Sequence, residues 1–179
     1  MSGHRTISAS HSGDLRTHSA STSGDPRPDS VRVRPVVSSD YPTVVEMIQA
    51  LAAHIGADEK PNVTVEVLER DGPQGHSNFQ ILVAELEGKI CGLCLYTFAF
   101  SGWRGMSGLF IEDLYVAPSA RGFGIGKILM DEALAREKHR GAGYLKLEVD
   151  QANHSAMRFY QSFGFKPIEG ENLMAYQPQ

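Results

Sequence analysis

The sequence predicts an α/β or α+β domain in which helices cover both faces of a central sheet. Three observations support this class. Apolar residues alternate with a period of two in several short segments, they recur at helical spacing in others, and glycine or proline stands at most boundaries. The predicted order is βααββ followed by βαβαββ, and a mixed order of this kind builds a sheet with helices packed on it.

The first half of the domain is predicted to contain three strands and two helices. Val31–Pro35 alternates Val and Arg, which is typical of a strand, and Asp40 is expected to cap the following helix. That helix has one apolar stripe, formed by Val44, Ile48, Leu51 and Ile55. A short helix and an antiparallel strand pair should follow at Thr64–Arg70, Phe79–Leu86 and Ile90–Phe100.

The second half should contain four strands and two helices. After a glycine-rich turn at Ser101–Gly108, Leu109–Val116 is predicted to be a strand. The next helix has its stripe at Gly126, Leu129, Met130, Ala133 and Leu134, and Gly141 with Gly143 should end it. The remaining predictions are a strand at Tyr144–Val149, a helix at Ser155–Phe163, and a closing hairpin of Phe165–Ile168 with Leu173–Tyr176.

The first thirty residues are expected to form a disordered polar tail, which leaves residues 31–179 as a single domain. Met1–Ser30 contains eleven Ser or Thr, and its three arginines balance three aspartates. Such a segment buries too little apolar surface to offset about 1–2 kcal/mol of backbone entropy per residue. The net charge of −4 therefore falls on residues 31–179.

Composition excludes several classes of protein. The longest apolar runs, such as Ile90–Phe100, are too short to span a membrane, and the first twenty residues lack the apolar core of a signal peptide. A pI near 6.0 argues against a nucleic-acid partner. Cys91 and Cys94 form neither a disulfide framework nor a metal site, so we expect a reducing cytoplasmic location, no metal, and two core thiols on opposite faces of a strand.

A glycine-rich loop, Arg121–Lys127, lies between a predicted strand and a predicted helix. Backbone N–H groups at such a junction bind anions. The spacing of its glycines excludes a P-loop, a dinucleotide-binding fingerprint and a kinase loop, and what remains is Arg-x-x-Gly-x-Gly. The alternative is a tight turn that needs glycine for positive φ angles.

Two further blocks give this loop a family resemblance. Together with Asn153, Ala156, Tyr160 and the Gly164-Phe165 pair, Arg121–Gly126 resembles the GCN5-related N-acetyltransferase (GNAT) family. The run Ile111–Val116, and Phe98–Phe100 with Trp103, are similar to the diamine (spermidine/spermine) branch. The resemblance implies a mixed, mostly antiparallel sheet with a V-shaped splay between the two strands Leu109–Val116 and Tyr144–Val149.

The resemblance also implies that acetyl-CoA is the co-substrate and lies in the V. Its pantetheine arm would meet Asn153 and the backbone of Leu114, Tyr115 and Val116. Its pyrophosphate would rest on the loop residues Arg121, Gly122, Phe123, Gly124, Ile125, Gly126 and Lys127. A primary amine would then attack the thioester directly in a ternary complex, without a covalent acyl-enzyme.

Four side chains are candidates for the chemistry. Glu112 is expected to be the general base or to orient the substrate, and Tyr160 to protonate the departing thiolate or to hydrogen-bond its sulfur. Strand alternation places Asp113 on the opposite face from Glu112, as a candidate substrate contact. Trp103 is expected either to wall the amine pocket and stack on a cation or simply to pack. His54, in the first helix, is a weaker candidate for that pocket.

The resemblance implies a small cationic amine, such as a polyamine or thialysine, as substrate, and a homodimer as the assembly. The segment Ala52–Glu59 differs from the diamine branch, which leaves amino acids, aminoglycosides and protein lysines open. A second alternative is a non-catalytic acyl-CoA-binding regulatory module. Such a module has no need of Glu112 or Tyr160.

Overall fold

A five-stranded sheet forms the centre of the protein in a computed structural model that describes residues 30–74 and 79–168. The strands are β1 (Val31–Pro35), β2 (Phe79–Leu86), β3 (Lys89–Ser101), β4 (Met106–Val116) and β5 (Ala142–Leu147). Within these residues they lie in sequential order. The pairs from β1 to β4 are antiparallel, and β5 runs parallel to β4. The predicted mixed, mostly antiparallel sheet is thereby confirmed.

Helices cover both faces of this sheet, as predicted. They are α1 (Tyr41–Ile55), α2 (Val65–Asp71), α3 (Ile125–Glu137) and α4 (His154–Phe163). Val44 and Leu68, from α1 and α2, pack in one core with Val83, whereas Leu129 from α3 packs in the other core with Leu82. Leu82 and Val83, which are adjacent in β2, therefore pack in opposite cores, because successive side chains of a strand point to opposite faces of the sheet. None of the described helices is long and apolar enough to cross a membrane.

Several element boundaries differ from the sequence prediction. Asp40 precedes α1 but does not cap it, because its carboxylate accepts hydrogen bonds from Arg34 and from the N–H of Val37 instead. Gly141 does take the left-handed conformation at the end of the helical segment (φ 81°), but Gly143 lies inside β5. Strand β4 begins three residues earlier than expected, at Met106.

The predicted closing hairpin is not seen in the described part of the chain. Phe165–Ile168 is described and is not in a strand. The second predicted strand, Leu173–Tyr176, and the predicted tail up to residue 29 lie outside the described residues.

Strands β4 and β5 separate partway along their length. Their register runs from Ser107 opposite Ala142 to Ile111 opposite Leu147. Strand β5 ends there, whereas β4 continues to Val116 and remains paired with β3 alone. The backbone of residues 112–116 consequently faces an opening on its β5 side, which confirms the predicted splay.

Candidate functional site

A β-bulge in β4 places two carboxylates at the mouth of this opening. Leu95 pairs with Asp113 and Tyr96 pairs with Ile111, so Glu112 is the extra residue. The Thr97 hydroxyl donates a hydrogen bond to Glu112 Oε1 at 3.1 Å. Thr97 and Leu95 are two residues apart on β3 and share a face of the sheet, so their neighbours Glu112 and Asp113 share it too.

This arrangement corrects the prediction that Asp113 lies on the opposite face from Glu112. The prediction assumed unbroken alternation, and the bulge interrupts that alternation at the position that matters. Leu95, the partner of Asp113, packs against the core under α1 and α2. Both carboxylates therefore lie on the α1–α2 face of the sheet.

A second bulge, in β3, corrects the prediction that the two cysteines lie on opposite faces of a strand. Ile90 pairs with Glu85 and Gly92 pairs with Ala84, so Cys91 is an extra residue in β3. Cys91 and Cys94 are both buried free thiols in the same core, on the α3 face, not on opposite faces. Burial raises the pKa of the Cys94 thiol to about 12, so it remains a protonated core group.

The two carboxylates differ in their surroundings. Glu112 is exposed, whereas Asp113 is partly buried. Burial, and secondarily the neighbouring Glu112 charge, raise the pKa of Asp113 above its ordinary value. In the described part of the chain no lysine or arginine forms an ion pair with either carboxylate. Among the described residues, the pair is a cluster of carboxylates that no protein cation neutralises.

Tyr160 lies on α4 near the same opening. Burial, and secondarily the nearby Asp113 carboxylate and Cys94 thiol, raise the pKa of its hydroxyl to about 12. These neighbours belong to β3 and β4, so the hydroxyl is within electrostatic range of the bulged strand. A phenol with such a pKa stays protonated through neutral pH and can donate a proton or a hydrogen bond.

The helix that carries Tyr160 is held at both ends. Asn153 Oδ1 accepts a hydrogen bond from the N–H of Ala156 at 3.0 Å, which caps α4. Gly164 ends the helix with φ 108°. The ring of Tyr160 packs edge-on against Phe159 and Phe165, with centroids 5.2 and 5.6 Å away. Asn153, predicted as a contact for the pantetheine arm, therefore also has a local structural role.

The three glycines of the loop have two different functions in the backbone. Gly122 and Gly124 have φ angles of 88° and 74°, which side-chain-bearing residues rarely adopt. Gly126 lies inside α3, and a Cβ there would be 2.9 Å from the ring of Phe159. The first two glycines shape the turn, and the third lets α4 approach α3.

The loop leaves the beginning of α3 available to an anion. Gly124 occupies the N-cap position, and no side chain of the described residues caps this helix. The first N–H groups of a helix have no acceptor within it, and the helix dipole favours negative charge there. Arg121 Nε donates to the carbonyl oxygen of Val116 at 3.0 Å and so ties the loop to the end of β4.

Other predicted contacts are distributed along these two elements. Phe123 and Ile125 pack into the core under α3. Lys127 Nζ is 2.5 Å from Asp131 Oδ2 and lies 5.1 Å from the centroid of the Phe163 ring, so it connects α3 with α4.

At the end of β4, the side chains of Leu114 and Val116 pack on one core and that of Tyr115 on the other. Only the backbone of these three residues is presented to the opening.

One predicted contributor is not brought to the carboxylates. Trp103 is fully exposed at the tip of the β3–β4 hairpin, where Phe100 is also 71% exposed. Glu112 lies six positions beyond Met106, the first residue of β4, which is about 20 Å at the rise of a strand. His54 is exposed in the last turn of α1.

A cavity of about 1500 Å³ is lined by residues of β5 and α4. Tyr160 lies in its wall, together with Leu147 and Phe163, but neither Glu112 nor the loop Arg121–Lys127 lines it. The described residues contain no cluster of three potential metal ligands.

Sequence reasoning missed Thr97. A threonine in a strand is common, and its pairing with Glu112 depends on the register between β3 and β4 and on the bulge in β4. No local pattern encodes either feature.

Comparisons with known proteins agree with this geometry. Residues 46–165 match the model of the acetyltransferase (GNAT) family. The chain is 29% identical over 157 residues to a thialysine N-epsilon-acetyltransferase of Mus musculus, which covers 83% of this chain and 92% of that protein. It is 26% identical over 150 residues to a spermidine/spermine N(1)-acetyltransferase-like protein of Homo sapiens, covering 80% of this chain and 21% of that one.

The fold is shared with solved structures as well. An aminoglycoside acetyltransferase from an uncultured soil metagenomic sample, crystallised with sisomicin, superposes with a TM-score of 0.68 at 21% identity. The superposition covers 84% of this chain and 98% of that one. The chain belongs to the acetyltransferase (GNAT) family, whose members use acetyl-CoA as co-substrate.

Proposed function

We propose that this member of the GNAT family transfers the acetyl group of acetyl-CoA to a primary amine of a small cationic substrate. The observation that carries the proposal is the bulge that places Glu112 and Asp113 on one face beside the opening. Neither carboxylate has a cationic partner among the described residues. A bound ammonium group would supply the missing charge and offset the cost of burying Asp113.

The backbone around the opening suits acetyl-CoA. Residues 114–116 of β4 present N–H and C=O groups on the side where β5 has ended. We assign the pyrophosphate to the N–H groups of residues 122–127, where the turn glycines and the helix dipole favour an anion. The Asn153 side chain is assigned to the pantetheine arm. No part of this arrangement needs a metal ion.

The reaction needs three proton movements. The alkylammonium has an ordinary pKa near 10.4, so it must lose a proton to Glu112, directly or through a water molecule. The amine nitrogen then forms a bond to the thioester carbonyl carbon, and the carbon–sulfur bond breaks. Tyr160 donates its proton to the departing thiolate, and the acylated nitrogen gives up its second proton, which restores the Tyr160 hydroxyl directly or through water. The products are the acetylated amine and CoA in its thiol form.

The names of similar proteins support one class of amine substrate. Two of these proteins are a thialysine acetyltransferase and a spermidine/spermine acetyltransferase-like protein. Both names refer to small molecules that carry amines, and the two carboxylates on β4 favour a substrate of this kind. We therefore propose a polyamine or a related small primary amine, with Asp113 as the carboxylate that contacts the cation.

Tyr160→Phe tests the chemical assignment. We expect turnover to fall about 10²–10⁴-fold, the usual contribution of a general acid, while acetyl-CoA affinity remains unchanged. Thiol release should be measured over a panel of polyamines, thialysine, amino acids, aminoglycosides and lysine peptides. Tyr144→Phe is the matched control, because it removes a tyrosine hydroxyl from β5 away from the carboxylates.

Two outcomes would count against the proposal. Full turnover by Tyr160→Phe would remove the acid assignment. Measurable acetyl-CoA binding without thiol release from any amine in the panel would favour a non-catalytic acyl-CoA-binding module.

We also propose that the protein acts as a cytoplasmic homodimer, with the chemistry in residues 31–179. Exposed Phe100, Trp103 and Met106 at the β3–β4 hairpin supply an apolar patch for a second copy, and two free buried cysteines suit a reducing compartment. Sedimentation of the wild type against Trp103→Ser would test the assembly: a dimer weakened by the substitution is expected.

A further inference from the structure

The Thr97–Glu112 hydrogen bond has no part in the mechanism described so far. Thr97 Oγ1 is 3.1 Å from Glu112 Oε1, and the two residues belong to neighbouring strands. Thr97 pairs with Phe110 in the β3–β4 register, so Glu112 is its diagonal neighbour, two residues further along β4. Diagonal neighbours are about 7–8 Å apart, a distance that the long side chain of a glutamate can bridge.

Thr97 is a rigid support for such a contact. Strand β3 is paired on both sides, with β2 and with β4, so the backbone of Thr97 is fixed within the sheet. Its branched side chain has restricted χ1 freedom. The Thr97 hydroxyl is therefore held at a defined place on the α1–α2 face.

Glu112 lacks this rigidity. It is the extra residue of a bulge, its side chain is exposed, and three torsions separate its carboxylate from the backbone. A general base is efficient only if it stays within hydrogen-bond reach of the proton that it accepts. A donor that fixes Oε1 leaves Oε2 free, and it also limits the positions that Oε2 can occupy.

We propose that Thr97 is a positioning residue that holds the Glu112 carboxylate in the orientation needed to accept the proton of the amine. The inference rests on the proposed function, because it assumes that Glu112 is the base. Thr97 itself touches neither the amine nor the thioester. It acts through one hydrogen bond and keeps the second carboxylate oxygen directed at the site.

Two substitutions at Thr97 separate positioning from packing. Thr97→Val preserves the branched shape and removes the hydroxyl, so kcat should fall about five- to twentyfold while the KM for acetyl-CoA stays within twofold. Thr97→Ser keeps the hydroxyl and should recover most of the lost turnover. Thermal unfolding of both variants establishes that they fold. A purely structural role would make Ser, the smaller residue, the more damaging of the two.

A double-mutant cycle with Glu112→Ala completes the test. If Thr97 acts through Glu112, Thr97→Val has no further effect on kcat once the carboxylate is absent. Wild-type kcat in Thr97→Val, or an undiminished effect in the Glu112→Ala background, overturns the positioning role. Failure of the proposed function has a different signature: Glu112→Ala by itself would then retain full turnover, which removes the base assignment and the positioning role with it.

Discussion

Two clusters of carboxylates lie in this sheet, and they differ in whether a protein cation accompanies them. At one edge, Asp40 and Glu85 surround the guanidinium of Arg34. In β4, Glu112 and Asp113 lie together with no lysine or arginine of the described chain paired to them. We call these the compensated cluster and the uncompensated cluster.

The compensated cluster has the geometry of a structural ion pair. Arg34 Nη1 donates to Asp40 Oδ2 at 2.6 Å, and Arg34 Nε donates to Glu85 Oε1 at 2.8 Å. The N–H of Val37 donates to the same Asp40 oxygen at 2.8 Å. The Arg34 hydrogen bond holds the pKa of Asp40 below its ordinary value, although burial opposes the shift. The cluster joins β1, β2 and the entry to α1.

The uncompensated cluster shows the opposite effect on pKa. The pKa of Asp113 is raised whereas that of Asp40 is lowered, because burial acts on both carboxylates but, among the described residues, only Asp40 has a cation beside it. This difference distinguishes buried charges that stabilise the fold from buried charges that are suited to bind a ligand. Carboxylates that the protein neutralises itself stabilise the fold, whereas carboxylates left without a partner beside an opening are suited to a cationic ligand.

Removing the cation of the compensated cluster should have the largest effect on stability. Arg34→Met leaves Asp40 buried without its partner, and we expect a loss of about 2 kcal/mol in the free energy of unfolding. That corresponds to a fall in Tm of roughly 4–8 °C for a domain of this size. Arg32→Met, an exposed position on the same strand, is the control and should change stability by less than about 0.5 kcal/mol. Equal losses in the two variants would show that the cluster contributes little.

The same logic predicts the opposite sign at the uncompensated cluster. Asp113→Asn removes a carboxylate whose charge is disfavoured by burial and by Glu112, so stability at neutral pH should rise by about 0.2–1 kcal/mol. The KM for the amine should rise roughly tenfold, because a charge-assisted contact is lost. Thermal unfolding and amine titration of one preparation measure both. A destabilised Asp113→Asn would mean that a cation does accompany this carboxylate.

The smallest effect, and the sharpest test of the comparison, is the pH dependence of these changes. The folded-state pKa of Asp40 is lowered, so its stabilisation is present above the unfolded value of about 3.9 and is lost as pH falls through the folded value. The folded-state pKa of Asp113 is raised, so its stabilisation is present below about 3.9 and is lost as pH rises through the folded value.

Between pH 3 and 8, the difference in Tm from wild type should therefore change with pH in both variants, as a deficit in one and as a gain in the other. The deficit of Asp40→Asn relative to wild type should shrink toward acid pH, whereas the gain of Asp113→Asn should appear only as the pH rises. If the difference in Tm from wild type stayed constant over this pH range in both variants, neither effect would come from the charge.

The sequence predicted local features well. The turn glycines of Arg121–Lys127 and the end of α4 at Gly164 each depend on a few neighbouring residues. Most strands and all four helices were also predicted, because the hydrophobic periodicity of a segment indicates which of its faces is buried. The family resemblance then supplied the splay between β4 and β5, which no pattern in a single strand contains.

The errors share one cause. At Cys91 and at Glu112 a bulge adds a residue to a strand and interrupts the alternation from which the facing of Cys94 and Asp113 was predicted. Trp103 was expected either to wall the amine pocket or to pack, but it lies fully exposed at the tip of the β3–β4 hairpin. Bulges and hairpin length are set by pairing between strands, so neither can be derived from the period of one segment.

The class of fold could be determined from the sequence because it follows from local composition and spacing. The family resemblance added the predictions of a coenzyme loop and of residues able to move protons. Only the tertiary structure shows which groups lie together. It places Glu112 and Asp113 on one face and brings the Thr97 hydroxyl to Glu112. Within the described residues it pairs Arg34 with Asp40 but pairs no cation with Glu112 or Asp113. The reason is physical: register between strands is a long-range choice made by whole-sheet packing, and a shift of one residue changes which face a side chain occupies.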